Sequence, residues 1–456
     1  MSHNQIHGVL PDLSSKIYLF VMDLSSNEFN SSPPLLPHNV EDIFLSRNKF
    51  SGTITNFCNI RNLWNLDLSN NWFSTEISQD CFTYLMSLRY LNLVNNNFMG
   101  EIPNSVDFCG LHSLHLRSNS FTGKFSRSLK NCSNLIILDL GENKLTGRIP
   151  SWLGESIPGL GVLSLKSNKL YGVLPSSLCH LTKLQVLDIS GNNISGTIPK
   201  CVKNFTLLSS KPNYNSSQDN RFVIYGRRTR DFYDNADVMW KGRIAEYVNA
   251  LKLLTLIDLS SNSLTGEIPA EVTSLVGLFA LNLSRNNLVG TIPRDIGRLE
   301  LLNFLDLSKN NLMGSIPLTL SQLSHLGMLN LSFNDLSGRI PWDTHMQTFD
   351  ASTYMENPGL CGPPLVLKPC PGDEMPKKPN STNNVDEAHE NKFITGGFYI
   401  SMAIGFIIAF WGVSGTLFLN NWCWTIVLNM FFRVEDWFYV NILVNKNCIE
   451  RHFEKH

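Results

Sequence analysis

A short pattern of leucines and polar residues repeats along most of the chain. Each copy reads leucine, any residue, leucine, two further residues and asparagine, then an apolar residue, glycine and often Ile-Pro, as in LDLGENKLTGRIP at 138–150. The alternation predicts a short strand with inward leucines and outward residues between them. The repeated asparagines are Asn4, Asn27, Asn48, Asn71, Asn96, Asn119, Asn143, Asn168, Asn192, Asn262, Asn286, Asn310 and Asn334.

These asparagines recur every 21 to 25 residues, apart from one interval of 70 residues between Asn192 and Asn262. Such a period is typical of a solenoid, in which each unit forms one coil that stacks on the next. The strands of adjacent coils then lie about 4.8 Å apart. The asparagine amides are placed to bond main-chain groups that would otherwise be buried without partners.

The Gly-x-Ile-Pro half of the repeat resembles the plant-specific leucine-rich repeat, over about residues 1–370. The order of segments is similar to plant receptor-like proteins, nearest to the fungal-xylanase receptors and apple-scab-resistance proteins. The segment VMWKGRIAEY at 238–247 matches the way their inserted island rejoins the repeats. The resemblance implies an α/β-type solenoid, a right-handed leucine-rich-repeat superhelix with short parallel strands on its concave face, plus one transmembrane helix.

The repeat pattern and the resemblance divide the chain into seven segments. They are a first repeat block that is incomplete at its N-terminus (1–202), an island insertion (203–250), four further repeats (251–355), a C-terminal cap (356–370), an acidic extracellular spacer (371–392), a transmembrane helix (393–419) and a short cytoplasmic tail (420–456). The first residues show no basic and apolar leader typical of a secretory signal, so we expect a sequence truncated at its N-terminus.

Residues 393–419 contain no charged side chain. As a helix they would be about 40 Å long, enough to cross a ~30 Å hydrocarbon core with tilt. Gly397, Ser401, Gly405 and Ala409 form a stripe of small residues that permits close approach of another helix. By resemblance, its partner is a single-span adaptor receptor kinase.

Cysteines and glycosylation signals favour an oxidising, extracytoplasmic location for the repeats. Similar offsets from the repeat asparagines predict four disulfides between or within adjacent coils and in the cap: Cys58–Cys81, Cys109–Cys132, Cys179–Cys201 and Cys361–Cys370. Acceptor triplets for N-glycans begin at Asn30, Asn131, Asn193, Asn204, Asn215, Asn282, Asn330 and Asn380. Both signals support a type I protein of the plasma membrane, although Lys377, Lys378 and Lys392 before the span favour the opposite orientation.

Two sets of residues are candidates for ligand binding. Repeats that depart from the usual Asp or Asn and Ser place a mixed-charge strip on the concave face, formed by His115, Arg117, Glu142, Ser164 and Lys166. The island supplies arginine and aromatic residues of the types enriched at interfaces, namely Tyr225, Arg227, Arg228, Arg230 and Trp240.

The net charge of −1 argues against a nucleic-acid partner. No phosphate loop, nucleophile elbow or zinc signature occurs, so we predict no catalytic residues, metal or cofactor. The sequence therefore favours a cell-surface receptor subunit without a kinase domain, which binds a peptide or protein ligand and signals through an adaptor kinase and a co-receptor kinase, in plant immunity or development. The alternatives are a truncated, non-signalling fragment and a wall-associated inhibitor of a microbial enzyme.

Overall fold

The computed structural model describes residues 2–78, 81, 85–104, 110–211, 222–224, 231–234, 236–240, 243–247, 254–341, 343, 346–365 and 368–371. Its helices are short, because each coil must turn back within about 24 residues. The α-helices among these residues are α1 (Thr55–Cys58) and α2 (Trp152–Ser156). The 3-10 helices span Arg127–Asn131, Ser176–His180, Lys200–Asn204, Ala270–Ser274, Ile296–Arg298, Leu318–Gln322, Met346–Thr348 and Ala351–Thr353.

The strands before the island are two to five residues long. They are β1 (His7–Gly8), β2 (Val21–Asp23), β3 (Glu28–Phe29), β4 (Asp42–Phe44), β5 (Ser51–Gly52), β6 (Asn65–Asp67), β7 (Trp72–Phe73), β8 (Tyr90–Asn92), β9 (Met99–Glu101), β10 (Ser113–His115), β11 (Ser120–Thr122), β12 (Ile137–Asp139), β13 (Thr146–Gly147), β14 (Val162–Ser164), β15 (Lys169–Val173), β16 (Val186–Asp188) and β17 (Asn193–Gly196).

The remaining strands lie in and after the island. They are β18 (Val223–Ile224), β19 (Phe232–Tyr233), β20 (Ala236–Trp240), β21 (Arg243–Tyr247), β22 (Leu256–Asp258), β23 (Ser263–Glu267), β24 (Ala280–Asn282), β25 (Asn287–Gly290), β26 (Phe304–Asp306), β27 (Asn311–Gly314), β28 (Met328–Asn330), β29 (Asp335–Arg339) and β30 (Gly359–Cys361).

One parallel sheet of twelve strands runs along the solenoid and forms its concave face. Its order is β2, β4, β6, β8, β10, β12, β14, β16, β22, β24, β26 and β28. A second sheet, of β13, β15, β17, β23, β25, β27, β29 and β30, follows the coil after each repeat asparagine. The leucines of both halves of the repeat fill the space between them, as Leu163, Leu165 and Leu170 do with no exposed surface. The predicted solenoid of parallel strands is confirmed.

The island leaves the stacking of the coils intact. Strand β16 pairs directly with β22 in the same register as every other neighbouring pair, with Leu187 opposite Ile257. Asn262 donates to the carbonyl of Ile189, 3.0 Å away, although 73 residues separate them. The inserted residues therefore loop out between two coils that pack as though they were consecutive.

The repeat asparagines form a continuous hydrogen-bonded ladder. The Nδ2 of Asn286 donates to the carbonyls of Leu259, in the preceding coil, and Leu283, in its own coil, at 3.0 and 3.1 Å. Its Oδ1 accepts from the main-chain N–H of Leu264 at 3.0 Å. One side chain therefore bonds main-chain groups of two coils in the apolar interior, and the ladder asparagines of the neighbouring coils share the same carbonyls, as Asn310 does with Leu283.

The residue before each ladder asparagine has a left-handed backbone, although it is rarely glycine. Examples are Ser118, Glu142 and Lys309, with φ of 53°, 52° and 55°. This conformation costs about 1–2 kcal/mol for a non-glycine residue. It turns successive main-chain N–H groups toward the next coil. For example, the main-chain N–H of Asn70 donates to the carbonyl of Val94 at 2.8 Å.

The ladder continues one position further than the sequence pattern predicts. Asn357, in the cap, donates to the carbonyls of Leu331 and Tyr354, each at 3.0 Å, and accepts from the N–H of Leu336 at 3.0 Å. Tyr354 is fully buried at the place that leucine occupies in the other coils. The cap therefore begins as one more coil with a modified sequence.

Three of the predicted disulfides are present. Cys58–Cys81 and Cys179–Cys201 join adjacent coils with Cα atoms 4.7 and 5.8 Å apart, and Cys361–Cys370 closes the cap. Cys132 is buried, whereas Cys109 lies outside the described residues, so their pairing stays a prediction.

Among the described residues, no helix has the length and apolar character needed to cross a membrane. The predicted span at 393–419, with Gly397, Ser401, Gly405 and Ala409, lies outside them, as does Asn380.

The ladder predicts that substitutions of two neighbouring asparagines have very different effects on stability. Asn286→Ala removes buried hydrogen bonds to two coils, and we expect it to lower the free energy of unfolding by about 2–4 kcal/mol. Asn287→Ala is the matched control, because that side chain is exposed, and we expect a change within about 0.5 kcal/mol. Urea unfolding followed by circular dichroism measures both, and equal midpoints for the two variants would contradict the role of the ladder.

Candidate functional site

Three rows of outward side chains line the concave face. The first row is the first residue of each concave strand, the second row is its third residue, and the third row lies two positions further on. The first row reads Val21, Asp42, Asn65, Tyr90, Ser113, Ile137, Val162, Val186, Leu256, Ala280, Phe304 and Met328. It changes from largely polar to apolar at Ile137.

Part of the island is seated on the apolar half of this row. Phe222 packs in a buried cluster with the first-row residues from Ile137 to Phe304. A Cβ at Gly161 would lie 3.2 Å from the Cζ of Phe222, so the missing side chain makes room for the ring. The island residue therefore closes over the centre of the concave face.

A second island residue reaches the second row. The carboxylate Oδ1 of Asp234 lies 3.0 Å from Nε2 of His115, and both side chains are almost completely buried. The N–H of Asp234 donates to the carbonyl of Phe222 at 2.7 Å, which links the two island contacts. Burial lowers the pKa of His115. The charges of Asp234, Asp139 and Asp67 raise this pKa by more than burial lowers it, so the net shift is upward.

The predicted mixed-charge strip is assembled, but its charges face one another. Arg117 lies 3.6 Å from both Asp139 and Glu142, and Lys166 lies 3.8 Å from Glu142. Ser164 is buried. His115 is buried as well and contacts the island, so the ligand-binding roles of these five residues stay predictions.

The predicted island residues are only partly described. Trp240 lies in β20, opposite Arg243 of β21 in an antiparallel pair. Tyr225, Arg227, Arg228 and Arg230 lie outside the described residues, so their ligand-binding roles stay predictions.

An open polar groove occupies the concave face on the N-terminal side of the island contacts. It has a volume of about 240 Å³, and its lining extends from His3 through Ser46, Asp67 and Val94 to Arg117. Burial raises the pKa of Asp67, an effect that hydrogen bonds from Ser69 and Ser46 partly offset. His115 lines the end of this groove while its Nε2 contacts the island. The groove therefore offers hydrogen-bonding groups and charges of both signs.

Two carboxyl groups lie side by side on the second row beyond the strip. Asp188 and Asp258 are opposite each other on β16 and β22, and both are buried. Burial and the charge of Asp258 raise the pKa of Asp188 to about 7, against the lowering effects of Ser190 and Lys166. Burial likewise raises the pKa of Asp258.

The predicted glycosylation residues differ in their exposure. Asn30, Asn131, Asn193 and Asn204 are exposed, and Asn215 lies outside the described residues. Asn330 is half-buried in β28. Asn282 is a correction, because it is buried on the second row and donates to Oδ2 of Asp258 at 3.1 Å, which leaves no room for a sugar.

Sequence reasoning missed the contacts that hold the island. Phe222 and Asp234 stand in a segment without periodicity, so nothing distinguished them from their neighbours. The first row did carry a signal, since Ile137, Val162 and Val186 are apolar at a position that should face solvent. An outward apolar row in consecutive coils predicts a covering segment.

Comparison with known proteins agrees with this architecture. The Leucine Rich Repeat family matches residues 87–109, 110–132, 134–156, 183–205, 253–275, 277–299 and 301–323. Receptor-like protein EIX2 of Solanum lycopersicum is 45% identical over 427 residues, which cover 92% of this chain and 41% of that protein. Receptor-like protein EIX1 of the same plant is 46% identical over 431 residues, with the same coverage. The chain thus spans about two fifths of the length of these relatives.

Two solved receptor structures share this architecture. A TDR receptor superposes with a TM-score of 0.59 at 25% identity, over 71% of this chain and 49% of that one. The Arabidopsis receptor kinase HAESA, solved with the peptide hormone IDA and the co-receptor SERK1, gives a TM-score of 0.51 at 29% identity, over 79% of this chain and 61% of that one.

The buried acid pair predicts a specific dependence of stability on pH. A carboxyl group whose pKa is higher in the folded chain than in the unfolded chain holds its proton more tightly when folded. For Asp188, the free energy of unfolding therefore falls as pH rises from about 4, the ordinary carboxyl pKa, to about 7. Asp188→Asn should raise the stability at pH 8 by on the order of 1–3 kcal/mol and flatten this slope.

The control for this prediction is Asp306→Asn. Asp306 occupies the same row, but its neighbours there are Asn282 and Asn330 rather than a second acid. Urea unfolding between pH 4 and pH 8 is the measurement. Parallel pH profiles for wild type and Asp188→Asn would contradict a raised pKa at Asp188.

Proposed function

Since this chain belongs with the plant leucine-rich-repeat receptor-like proteins, we propose that it is the ligand-binding part of a cell-surface receptor. The observation that carries the proposal is the open polar groove on the concave face, bounded at one end by the docked island. A peptide or protein ligand would lie across the coils and meet the third row and the exposed left-handed residues beside it. The charges and amides of the groove suit a polar ligand.

The signalling partner is also part of the proposal. The receptor kinase HAESA was solved in complex with the peptide hormone IDA and the co-receptor SERK1, and this similarity supports two kinds of partner. We propose that a ligand here similarly connects the repeats to a co-receptor kinase. The predicted span at 393–419 would pair through its small residues with an adaptor kinase, which supplies the catalytic activity. The downstream process would be immunity, as the resemblance to xylanase receptors implies, or development.

A wall-associated inhibitor and a non-signalling fragment are the competing functions. An inhibitor would bind a microbial enzyme through the same concave surface but would be released from membranes. A fragment that is never translocated would carry no glycans. The cellular location of the chain and its glycosylation distinguish both alternatives from the receptor.

Glycan occupancy tests the proposed location and orientation. When the full chain is expressed in plant cells, we expect N-glycans on exposed Asn131 and Asn204 and none on Asn282, whose buried amide bonds Asp258. Mass spectrometry of glycopeptides from the membrane fraction is the measurement, and Asn282 is the internal control. Unglycosylated Asn204 in a chain recovered from the cytosol would exclude the receptor.

A matched pair of substitutions tests the groove. Val94 lines the groove, whereas Val173 is exposed on the second sheet. With a fungal xylanase as the probe, we expect Val94→Arg to weaken binding by roughly tenfold or more, since it fills the groove with a bulky cation, and Val173→Arg to leave it unchanged. Biolayer interferometry on the full chain measures both. Equal binding by Val94→Arg and wild type would contradict the groove as the binding site. Absence of binding by wild type would contradict xylanase as the ligand class.

A further inference from the structure

The described part of the island meets the concave face through two linked contacts. Phe222 enters the apolar half of the first row, and Asp234 meets His115 on the second row. The N–H of Asp234 donates to the carbonyl of Phe222, and Val223 pairs with Tyr233 in a short antiparallel ladder. Displacement of Asp234 from His115 would therefore also disturb the packing of Phe222 against the first row.

We propose that the contact between His115 and Asp234 is a pH-dependent latch, which holds Phe222 on the apolar half of the first row when shut and releases it when open.

The charges around His115 set the direction of the switch. Besides Asp234 from the island, the groups that face the imidazole are Asp139 on β12, Asp67 on β6 and the Tyr90 ring on β8, whose centroid is 5.6 Å away. Arg117, two residues after His115 and just beyond the end of β10, lies close to Asp139 and Glu142.

Together the three carboxylates outweigh burial and raise the pKa of His115, so the protonated ring pairs with Asp234. A histidine with a raised pKa stabilises its contact at low pH and loses it as pH rises through that pKa.

The acid pair under the same face acts in the same direction. Asp188 and Asp258 lie on the strands whose first residues, Val186 and Leu256, contact Phe222. The other groups that face the pair are Lys166, Ser190, Ser260 and Asn282.

At low pH, a protonated carboxyl can remain buried at little cost. Near neutral pH the pair loses its last proton. Two adjacent buried carboxylates repel each other, and this repulsion favours a conformation in which water reaches them. Loss of both sets of protons therefore favours an open island as pH rises.

The opening is measurable at a single main-chain group. In the seated state Asp234 is buried and its N–H is bonded to the carbonyl of Phe222, so an opening that admits water to this contact raises the hydrogen exchange of the amide. In the full wild-type chain, after correction for the intrinsic rate, we expect protection of this amide to fall by roughly tenfold or more between about pH 5.5 and pH 8.5. His115→Gln and Asp234→Asn should each give low protection at both pH values.

His325→Gln is the control, because His325 is exposed in a distant coil, and it should keep the wild-type profile. Exchange of amides in β25 and β27, remote from the island contacts, shows whether a variant has folded. If His115→Gln perturbs those amides too, Asp234→Asn, which changes only the island partner, decides the outcome. Equal protection of residue 234 at both pH values in wild type, or full protection in a folded Asp234→Asn variant, would overturn the latch.

Discussion

Every coil of this solenoid must bring main-chain groups into an apolar interior and still satisfy their hydrogen bonds. The asparagine after each concave strand meets that constraint, since its amide has both donors and an acceptor and is short enough to stay inside the turn. Asn71, for example, donates to Leu45 and Leu68 and accepts from the N–H of Phe50. Leucine packing supplies most of the buried surface, but without the ladder that packing would leave unpaired polar groups at every coil, at about 1–3 kcal/mol each.

Stacking of this kind is nearly one-dimensional, because each coil contacts mainly its two neighbours. A long insertion is tolerated wherever the chain can leave one coil and return to the next in register, as β16 and β22 show. The inserted chain must then bury its own apolar residues somewhere. The first row, with Val162 and Val186 facing outward, provides that place for Phe222.

The repeating coils were predictable from sequence, whereas the contacts of the island were not. The periodic leucines and asparagines predict the coils, and equal offsets in neighbouring coils predict Cys58–Cys81. Asn357 escaped the pattern because Tyr354 replaces the leucine before it. The pairing of His115 with Asp234 joins residues far apart in sequence, and no local preference encodes it. The sequon at Asn282 was misleading, because it also occupies a second-row position whose amide bonds a neighbouring strand.

The distribution of charge follows from the same complementarity. In the open groove, Asp67 and Arg117 line a cavity that water and ligand atoms can enter, so their fields can act on a bound molecule. Under the centre of the face, Asp188 and Asp258 are buried side by side, and the charge of Lys166 acts on both. Buried charge of one sign is costly, and folding tolerates it here because the carboxyls can keep a proton at a pH where exposed ones cannot. In the proposed receptor, the covered half of the face is the part whose ionisation is linked to the position of Phe222, whereas the open half recognises the ligand.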